Sequence, residues 1–332
     1  MERDSIAHGL DLRLPDVGEP AYSRMRALLE GTAEQLESAA HILKNPSRSL
    51  WEQSEIEPID ALPTAPRAAC QGVPGAYSQI ACEQLFPQPD IAFFDRFGQV
   101  VEAVSSGEAE FGVLPVENSN AGAVEEALEL VAGSGCYIVA ATQVKANHCL
   151  CIHPDSAEGG LTRALSHPQA LRQCGGFLKE RGLEPVPCLN TAIAAMEVAK
   201  GPSADACLCS RRSAELYGLR ILGEGVQDYE ANFTRFVCIA NKALVLPDAD
   251  SVSLALSFPN QPDALRRFLT LCSVWGLDLT KLRSLPIAGA DFRVRFHLDF
   301  RGNVFRDQVD SLLGHMTDTL EDFRFLGNYP FI

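Results

Sequence analysis

The sequence predicts an α/β protein that ends in a smaller βαββαβ unit. Two observations carry this. Between about residues 67 and 240, short apolar runs alternate with stretches of helical period. After residue 250 the order of runs becomes strand, helix, strand, strand, helix, strand. Strand–helix alternation implies a mostly parallel sheet, because each parallel crossover needs a helix's length of chain. The later order is that of a ferredoxin-like split unit, one sheet face covered by two helices.

Taken in order, residues 1–66 hold one helical stripe, formed by Met25, Leu28, Leu29, Leu36, Ala39, Ala40 and Leu43. A lone amphipathic helix cannot bury its own apolar face, so this one is expected to dock on the rest of the chain or on another subunit. The stretch NPSRSLWEQSEIEPIDALPTAP (45–66) reads as a linker, rich in proline and charge. Residues 67–243 form the α/β domain. Its strands are expected at IAFFD, FGVLPV, CYIVAATQV, HCLCIHP, EPVPCL, ACLCS and TRFVCIA. Val124, Ala127, Leu128 and Val131 make a helix stripe with Glu125, Glu126 and Glu129 facing out, and further helices follow Pro168, Asn190 and Ser210. Residues 250–332 form the βαββαβ unit, with strands at 251–258, 277–285, 291–300 and 323–329 and helices at 263–275 and 305–320. The third strand alternates cleanly, with Phe292, Val294, Phe296, Leu298 and Phe300 on one face and Arg293, Arg295, His297 and Asp299 on the other.

Composition narrows the function classes. An apolar content of 46% in 332 residues supports sizeable cores, and a net charge of −15 opposes a nucleic-acid or anionic-membrane surface. A small anionic ligand remains compatible, since a local site can oppose the global field. The eleven cysteines include no CxxC pair and no zinc-type spacing. They read as reduced, buried, small hydrophobes in a reducing compartment. The N-terminus lacks a basic start and apolar run, and no apolar run reaches membrane-spanning length, so a soluble, cytoplasmic protein is expected. No metal or cofactor is expected.

Ligands of α/β folds sit at the carboxyl ends of strands. Four strand-to-helix turns are candidates: QGVPGAYSQ (71–79), PVENSNAGAVEEA (115–127), LSHPQALRQC (165–174) and LNTAIAAM (189–196), the last with Asn190 or Thr191 as N-cap. Each presents a helix N-terminus, which favours an anion without needing Lys or Arg. Converging, they would hold a carboxylate-bearing ligand; singly, each is an ordinary cap. His148 and His167 are either general bases or structural residues, and Glu117 is either an acid or a carboxylate that caps a helix or pairs with a base. No GxSxG, Walker A, HExxH or dinucleotide fingerprint occurs. What remains is chemistry run on hydroxyls, amides and backbone dipoles.

The blocks GVPGAYSQIA, FGVLPVENSNAGAVEEALEL, HCL, LSHPQALRQC, NTAIAAM and LYGLRILGEGVQDYEANFTRF, in this order, resemble those of prephenate dehydratases, and LTKLRSLP and FLGNYP resemble blocks of the ACT regulatory domain that follows it. The resemblance covers about residues 68–330. It implies a two-lobed catalytic domain like a type II periplasmic binding protein, with the site in the cleft. It implies conversion of prephenate to phenylpyruvate, carbon dioxide and water in phenylalanine synthesis, with arogenate dehydratase as the nearest alternative and a non-catalytic binding or sensor homologue as a further one. The departing ring carboxylate and hydroxyl leave an aromatic ring, so a positioned hydroxyl donor suffices. The resemblance assigns that donor to Thr234. It places Asn118, Ser166 and Gln173 in the catalytic site, and Ser78, Thr191 and Phe236 in the substrate cleft. Arg235 joins these, either offsetting substrate charge or supporting the hinge.

The regulatory blocks depart from the family pattern. Asp263-Ala264-Leu265 stand where the family has GAL, and Arg283-Ser284-Leu285-Pro286 where it has ESRP. A glycine, a glutamate and an arginine of the effector pocket are thereby replaced, so weakened or lost binding of the effector phenylalanine is expected. An even-numbered homo-oligomer, a dimer or tetramer, is implied. The N-terminal stretch is too short for the chorismate mutase domain that many members carry, so no mutase activity is expected.

Overall fold

The structure, a computed structural model, describes residues 56–258, 264–287, 293–320 and 322–332, together with Ala33. All seven residues of the stripe between Met25 and Leu43, residues 45–55 of the linker, Asp263 and Phe292 lie outside the described residues. After a short strand β1 (Glu57–Pro58) the chain builds the first lobe: β2 (Arg67–Gln71), α1 (Tyr77–Leu85), β3 (Asp90–Phe94), α2 (Phe97–Ser105), β4 (Phe111–Asn118), β5 (Gly122–Ala123), α3 (Glu125–Ser134) and β6 (Tyr137–Lys145). The second lobe follows as β7 (Cys149–Ile152), β8 (Arg163–Ser166), α4 (Pro168–Gln173), α5 (Gly175–Glu180), β9 (Glu184–Pro187), α6 (Thr191–Val198), β10 (Asp205–Cys209), α7 (Arg211–Leu216) and β11 (Arg220–Glu224). The chain then returns to the first lobe as β12 (Phe233–Ala240), and β13 (Leu244–Val245) pairs with β1.

The first sheet has the order β3-β2-β4-β12-β6, with β5 beside β4, and the second the order β11-β7-β10-β8-β9. Neither is mostly parallel, contrary to the expectation from alternation alone. Strand β2 is parallel to β3 and β4, but β12 is antiparallel to both β4 and β6. Strand β8 is parallel to β9 and β10, but β7 is antiparallel to β10 and β11. The reason is the two crossings between lobes. Strand β6 carries the chain out of the first lobe and β12 brings it back at the same end, so these neighbours must run in opposite directions. The same holds for β7 and β11 in the second lobe.

Each face of the first sheet has its own core. Ala68, Cys70, Phe111, Val113, Phe236 and Cys238 pack beneath α1, with Ala81, Cys82 and Phe86. Ala69, Leu114, Val116, Val237 and Ile239 pack on the other side against Val100, Val104 and Val131. All eleven cysteines are free thiols and ten are buried, the usage of a small hydrophobe.

The C-terminal unit consists of β14 (Ser251–Leu256), α8 (Ala264–Val274), β15 (Asp278–Pro286), β16 (Val294–Arg301), α9 (Asp307–Thr319) and β17 (Phe323–Tyr329). Its antiparallel sheet has the order β15-β16-β14-β17. Leu254, Leu256, Leu298 and Phe300 face Phe268, Cys272, Leu312, Leu313 and Met316 of the two helices. The polar face is not turned to solvent. It packs on the first lobe, where Ala255, Leu326 and Tyr329 join Ile138 and Ala141 in one cluster. Beyond β17 the tail adds to the edge of β6: Ala141 N donates to Pro330 O (3.0 Å) and Ile332 N donates to Ala141 O (2.8 Å). Strand β17 approaches β6 so closely that Gly327, at φ +151°, admits no Cβ, which would sit 2.1 Å from Ile138 O. Glu129 of α3, expected to face solvent, instead meets Arg295 (3.2 Å) and His297 (2.9 Å).

Candidate active site

Strand β4 ends at Asn118 and β12 starts at Phe233, which makes Asn118 and Thr234 register partners. Asn118 Oδ1 accepts from Asn120 N (3.1 Å) and Ala121 N (3.0 Å), an Asx turn that fixes the amide plane. Asn118 Nδ2 then donates to Thr234 Oγ1 (3.0 Å), Asn232 Oδ1 (3.0 Å) and Phe233 O (3.2 Å). An oxygen that accepts from an amide keeps its own proton for another acceptor.

The network continues across the lobes. Asn232, fully buried in the second crossing, makes a two-way amide pair with Gln173 at the end of α4: Asn232 Nδ2 donates to Gln173 Oε1 (2.9 Å) and Gln173 Nε2 to Asn232 Oδ1 (3.3 Å). Gln173 Oε1 also meets His148 Nε2 (3.1 Å), so that nitrogen carries the hydrogen and donates. Nδ1 of His148 is left to accept, with Tyr77 OH at 3.3 Å. Tyr77, from the first turn of α1, also reaches Asn147 O (3.1 Å). Both crossings and both lobes therefore meet in one chain of neutral amides, an imidazole and hydroxyls. Burial raises the Tyr77 phenol far above its ordinary value, so it stays protonated.

Burial also holds His148 below its ordinary pKa, with the Gln173 hydrogen bond pulling the other way. The neutral form is thus kept at neutral pH. A histidine lowered on folding contributes stability above its unfolded pKa, and this is lost as pH falls through the folded value. The His148 ring signal, followed by NMR, is expected to titrate below pH ~6.5. A midpoint at or above that value would contradict the buried donor geometry.

The other sequence-indicated residues divide. Ser166 is fully buried and donates to Leu208 O (2.7 Å), which ties β8 to β10 and commits its proton. Phe236, read as a cleft aromatic, is 2% exposed in the core beneath α1; its ring packs the sheet instead. Arg235 lies on the opposite face of β12 from Thr234, beside Glu117 (3.9 Å) and the Phe331 ring (5.5 Å), since strand side chains alternate. Ser78 is buried in the first turn of α1, next to Tyr77, and Thr191 opens α6 behind the N-cap Asn190, whose Oδ1 accepts from Ile193 N (2.8 Å). His167 caps α4 through Gln169 N (3.2 Å). The first three turns are linked by the network. The turn before α6 adds no hydrogen bond to it among the described residues. Gly75 O accepts from Ser213 Oγ (2.7 Å) and Ser210 Oγ (3.2 Å), which holds the first turn against α7 of the other lobe.

Two members of the network, Asn232 and Tyr77, were not singled out by the sequence. Both stand in quoted blocks, but nothing in the polar stretch EANFT signals a fully buried amide. Glu117 pairs with bases: Lys281 Nζ at 2.7 Å and Arg283 at 2.6 Å. Burial alone would raise its pKa, yet Lys281, Arg283 and Arg235 outweigh it and lower the value. This contact contributes stability above the ordinary carboxylate pKa, lost as pH falls through the lowered one. Of the effector-region positions, Leu285 is buried, Ser284 and Pro286 are exposed, Ala264 and Leu265 open α8, and Arg283 is taken by Glu117.

Two α/β lobes joined by two crossings, with a polar site where the crossings meet, define a domain of the type II periplasmic-binding-protein kind; a βαββαβ module of ACT type follows it. A family model described as prephenate dehydratase matches residues 68–244. Arogenate dehydratase 1 of Petunia hybrida is 34% identical over 284 residues, covering 80% of this chain and 66% of that protein. Further plant arogenate or arogenate/prephenate dehydratases, from Arabidopsis thaliana and Petunia hybrida, share 30–32%. A bifunctional N-acyl-homoserine lactone acylase/prephenate dehydratase of Komagataeibacter europaeus is 34% identical over 266 residues, covering 79% of this chain and 95% of that protein. The crystal structure of a prephenate dehydratase from Arthrobacter aurescens in complex with L-Phe superposes with a TM-score of 0.72 at 25% identity, covering 80% of this chain and 90% of that one. The chain belongs to the prephenate dehydratase family. It is a lyase-type enzyme of that family, a decarboxylating dehydratase of the prephenate/arogenate type. Among the described residues no helix is long and apolar enough to cross a membrane.

Proposed function

We propose that Thr234 donates the proton to the departing ring hydroxyl of a prephenate-type substrate held between the lobes. One observation carries this reading. Asn118 occupies an acceptor site of Thr234 Oγ1 at 3.0 Å, which directs the hydroxyl proton away from the strand pair. As the ring carboxylate leaves as carbon dioxide, the electrons of that C–C bond move through the ring and expel the C4 hydroxide. Thr234 protonates the hydroxide to water and recovers its proton from solvent. Asn118, Gln173 and Asn232 hold the donor and the crossings in place. Ser78 and Thr191, at the first turns of two helices, face the substrate's carboxylates. Arg235, turned to Glu117 and the Phe331 ring on the side of the C-terminal module, neither offsets the substrate charge nor touches the crossings.

Between the two substrates, arogenate takes first place, supported by the names of the plant relatives. Prephenate is second, supported by the names of the Komagataeibacter and Arthrobacter proteins. Phenylalanine is a weak effector here, since Arg283 is engaged by Glu117 and Leu285 is buried. The edge strand β15, with Leu282 exposed, supports pairing into an even-numbered homo-oligomer.

The test is a parallel assay of purified protein with arogenate and with prephenate, each with and without phenylalanine. Turnover with the higher kcat/KM on arogenate, little changed by phenylalanine, is expected. The opposite preference selects prephenate, sharp inhibition at low phenylalanine refutes the weakened effector, and no product from either substrate refutes the reading.

A further inference from the structure

The register of β4 and β12 places two cross-strand pairs side by side. Asn118 faces Thr234, and the adjacent Glu117 faces Arg235. Because side chains alternate along a strand, the first pair points into the cleft and the second toward the C-terminal module. That module clamps the second pair from both sides. Lys281 Nζ meets Glu117 Oε2 at 2.7 Å and Arg283 meets Oε1 at 2.6 Å, so the two carboxylate oxygens have separate partners. Lys281 is itself held by Asp299 (3.6 Å), which accepts from Ser253 Oγ (2.6 Å) on the central strand β14. On the other strand, Arg235 lies under the ring of Phe331, in the tail that pairs with Ala141.

These are not loose surface pairs. The side chains of Glu117 and Lys281 are 22% and 19% exposed, so a carboxylate stripped of its cations would stay largely buried and uncompensated. The clamp also sits at an irregular point: the register of β12 on β4 shifts between Arg235 and Phe236. A bulged strand end has fewer ladder bonds to fix it, and a displacement of about 1 Å at a catalytic group can cost two orders of magnitude in rate.

We infer that Glu117 is a positioning residue: through Lys281 and Arg283 it lets the C-terminal module set the geometry of the Asn118–Thr234 bond. The inference rests on the proposed role of Thr234. The module is then a working part of the catalytic strand pair, and any event that moves its sheet changes kcat before it changes substrate binding.

The test uses the full chain with Lys281→Met/Arg283→Met, which keeps the apolar stems and removes both charges. Its kcat is expected to fall about tenfold or more, with KM changed less than about threefold. Backbone amides of residues 233–236 should exchange faster with deuterium. The charge-preserving pair Lys281→Arg/Arg283→Lys should retain the wild-type kcat, which a pure packing role does not predict. Should the double methionine variant fail to fold, Arg283→Met alone is expected to show the same split in smaller measure. Wild-type kcat in the methionine variants, or an equal loss in the charge-preserving pair, overturns the inference. An inactive wild type would instead defeat the reading of Thr234. Exchange at 233–236 would still decide the clamp, unchanged rates in the methionine variant refuting it.

Discussion

Thr234→Ala is expected to lower kcat by about 10²–10⁴-fold, the usual worth of a positioned proton donor. The fold should survive, because Asn118 Nδ2 keeps Asn232 Oδ1 and Phe233 O as acceptors when Oγ1 is gone. Thermal unfolding should therefore shift little while product formation collapses. Thr234→Ser keeps a hydroxyl beside Asn118 and should retain a large part of the rate. Both are read by product formation from arogenate and from prephenate, with unfolding as the control. An alanine variant as active as the wild type would remove Thr234 from the chemistry. A variant that no longer folds would point to the hydroxyl as a structural link instead.

Gly327→Ala is expected to have the largest effect on assembly of the molecule. The new Cβ would lie 2.1 Å from Ile138 O and 2.9 Å from both Ile138 C and N. All three are backbone atoms of β6, so no side chain can rotate away. The φ of +151° adds strain for any residue with a Cβ. Strand β17 must separate from β6, at a cost of about 1–3 kcal/mol or more. The melting temperature should fall by several degrees, roughly 2–4 °C per kcal/mol for a chain of this order of size. Protease cleavage between the two domains should quicken as well. Unchanged melting and cleavage would mean that the close seat of β17 on β6 does not persist in solution.

How far the sequence could be read is clear from individual elements. The last strand, 323–329, was legible to the residue, because FRFLGNY alternates and is bounded by Asp322 and Pro330. The helices after Pro168, Asn190 and Ser210 were legible from their caps, and Asn190 takes that role in preference to Thr191. Strand direction was not legible. The apolar run of β12 looks the same whether it is parallel or antiparallel to β4, and only its arrival from the other lobe makes it antiparallel. Strand β11 gives no readable signal, since RILGE is short and half-buried.

The candidate site divides in the same way. Asn118, Gln173 and Thr234 stand in separate blocks, and the structure brings them within one hydrogen-bond chain. Arg235 and Phe236 stand beside Thr234, yet one turns to the C-terminal module and the other enters the core. Alternation puts Arg235 and Phe236 on opposite faces, but the bulge between them and the partner each face meets come from the sheet's register, which the local sequence does not encode.

The family, the turns that carry Asn118, Gln173 and Thr234, and most of the order of elements can be read from the chain alone. These follow from local periodicity, capping and motif spacing, all short-range properties of the chain. Which side chains meet is fixed by the packing of the sheets. It buried Asn232 as the node between the crossings, set Glu117 against Lys281 and Arg283, and turned the polar face of the C-terminal sheet onto the first lobe. These contacts join residues 164 and 166 positions apart at Glu117, and 188 apart between the C-terminal sheet and the first lobe. Such partners are chosen by how the sheets pack and register, which no single stretch of the chain can specify.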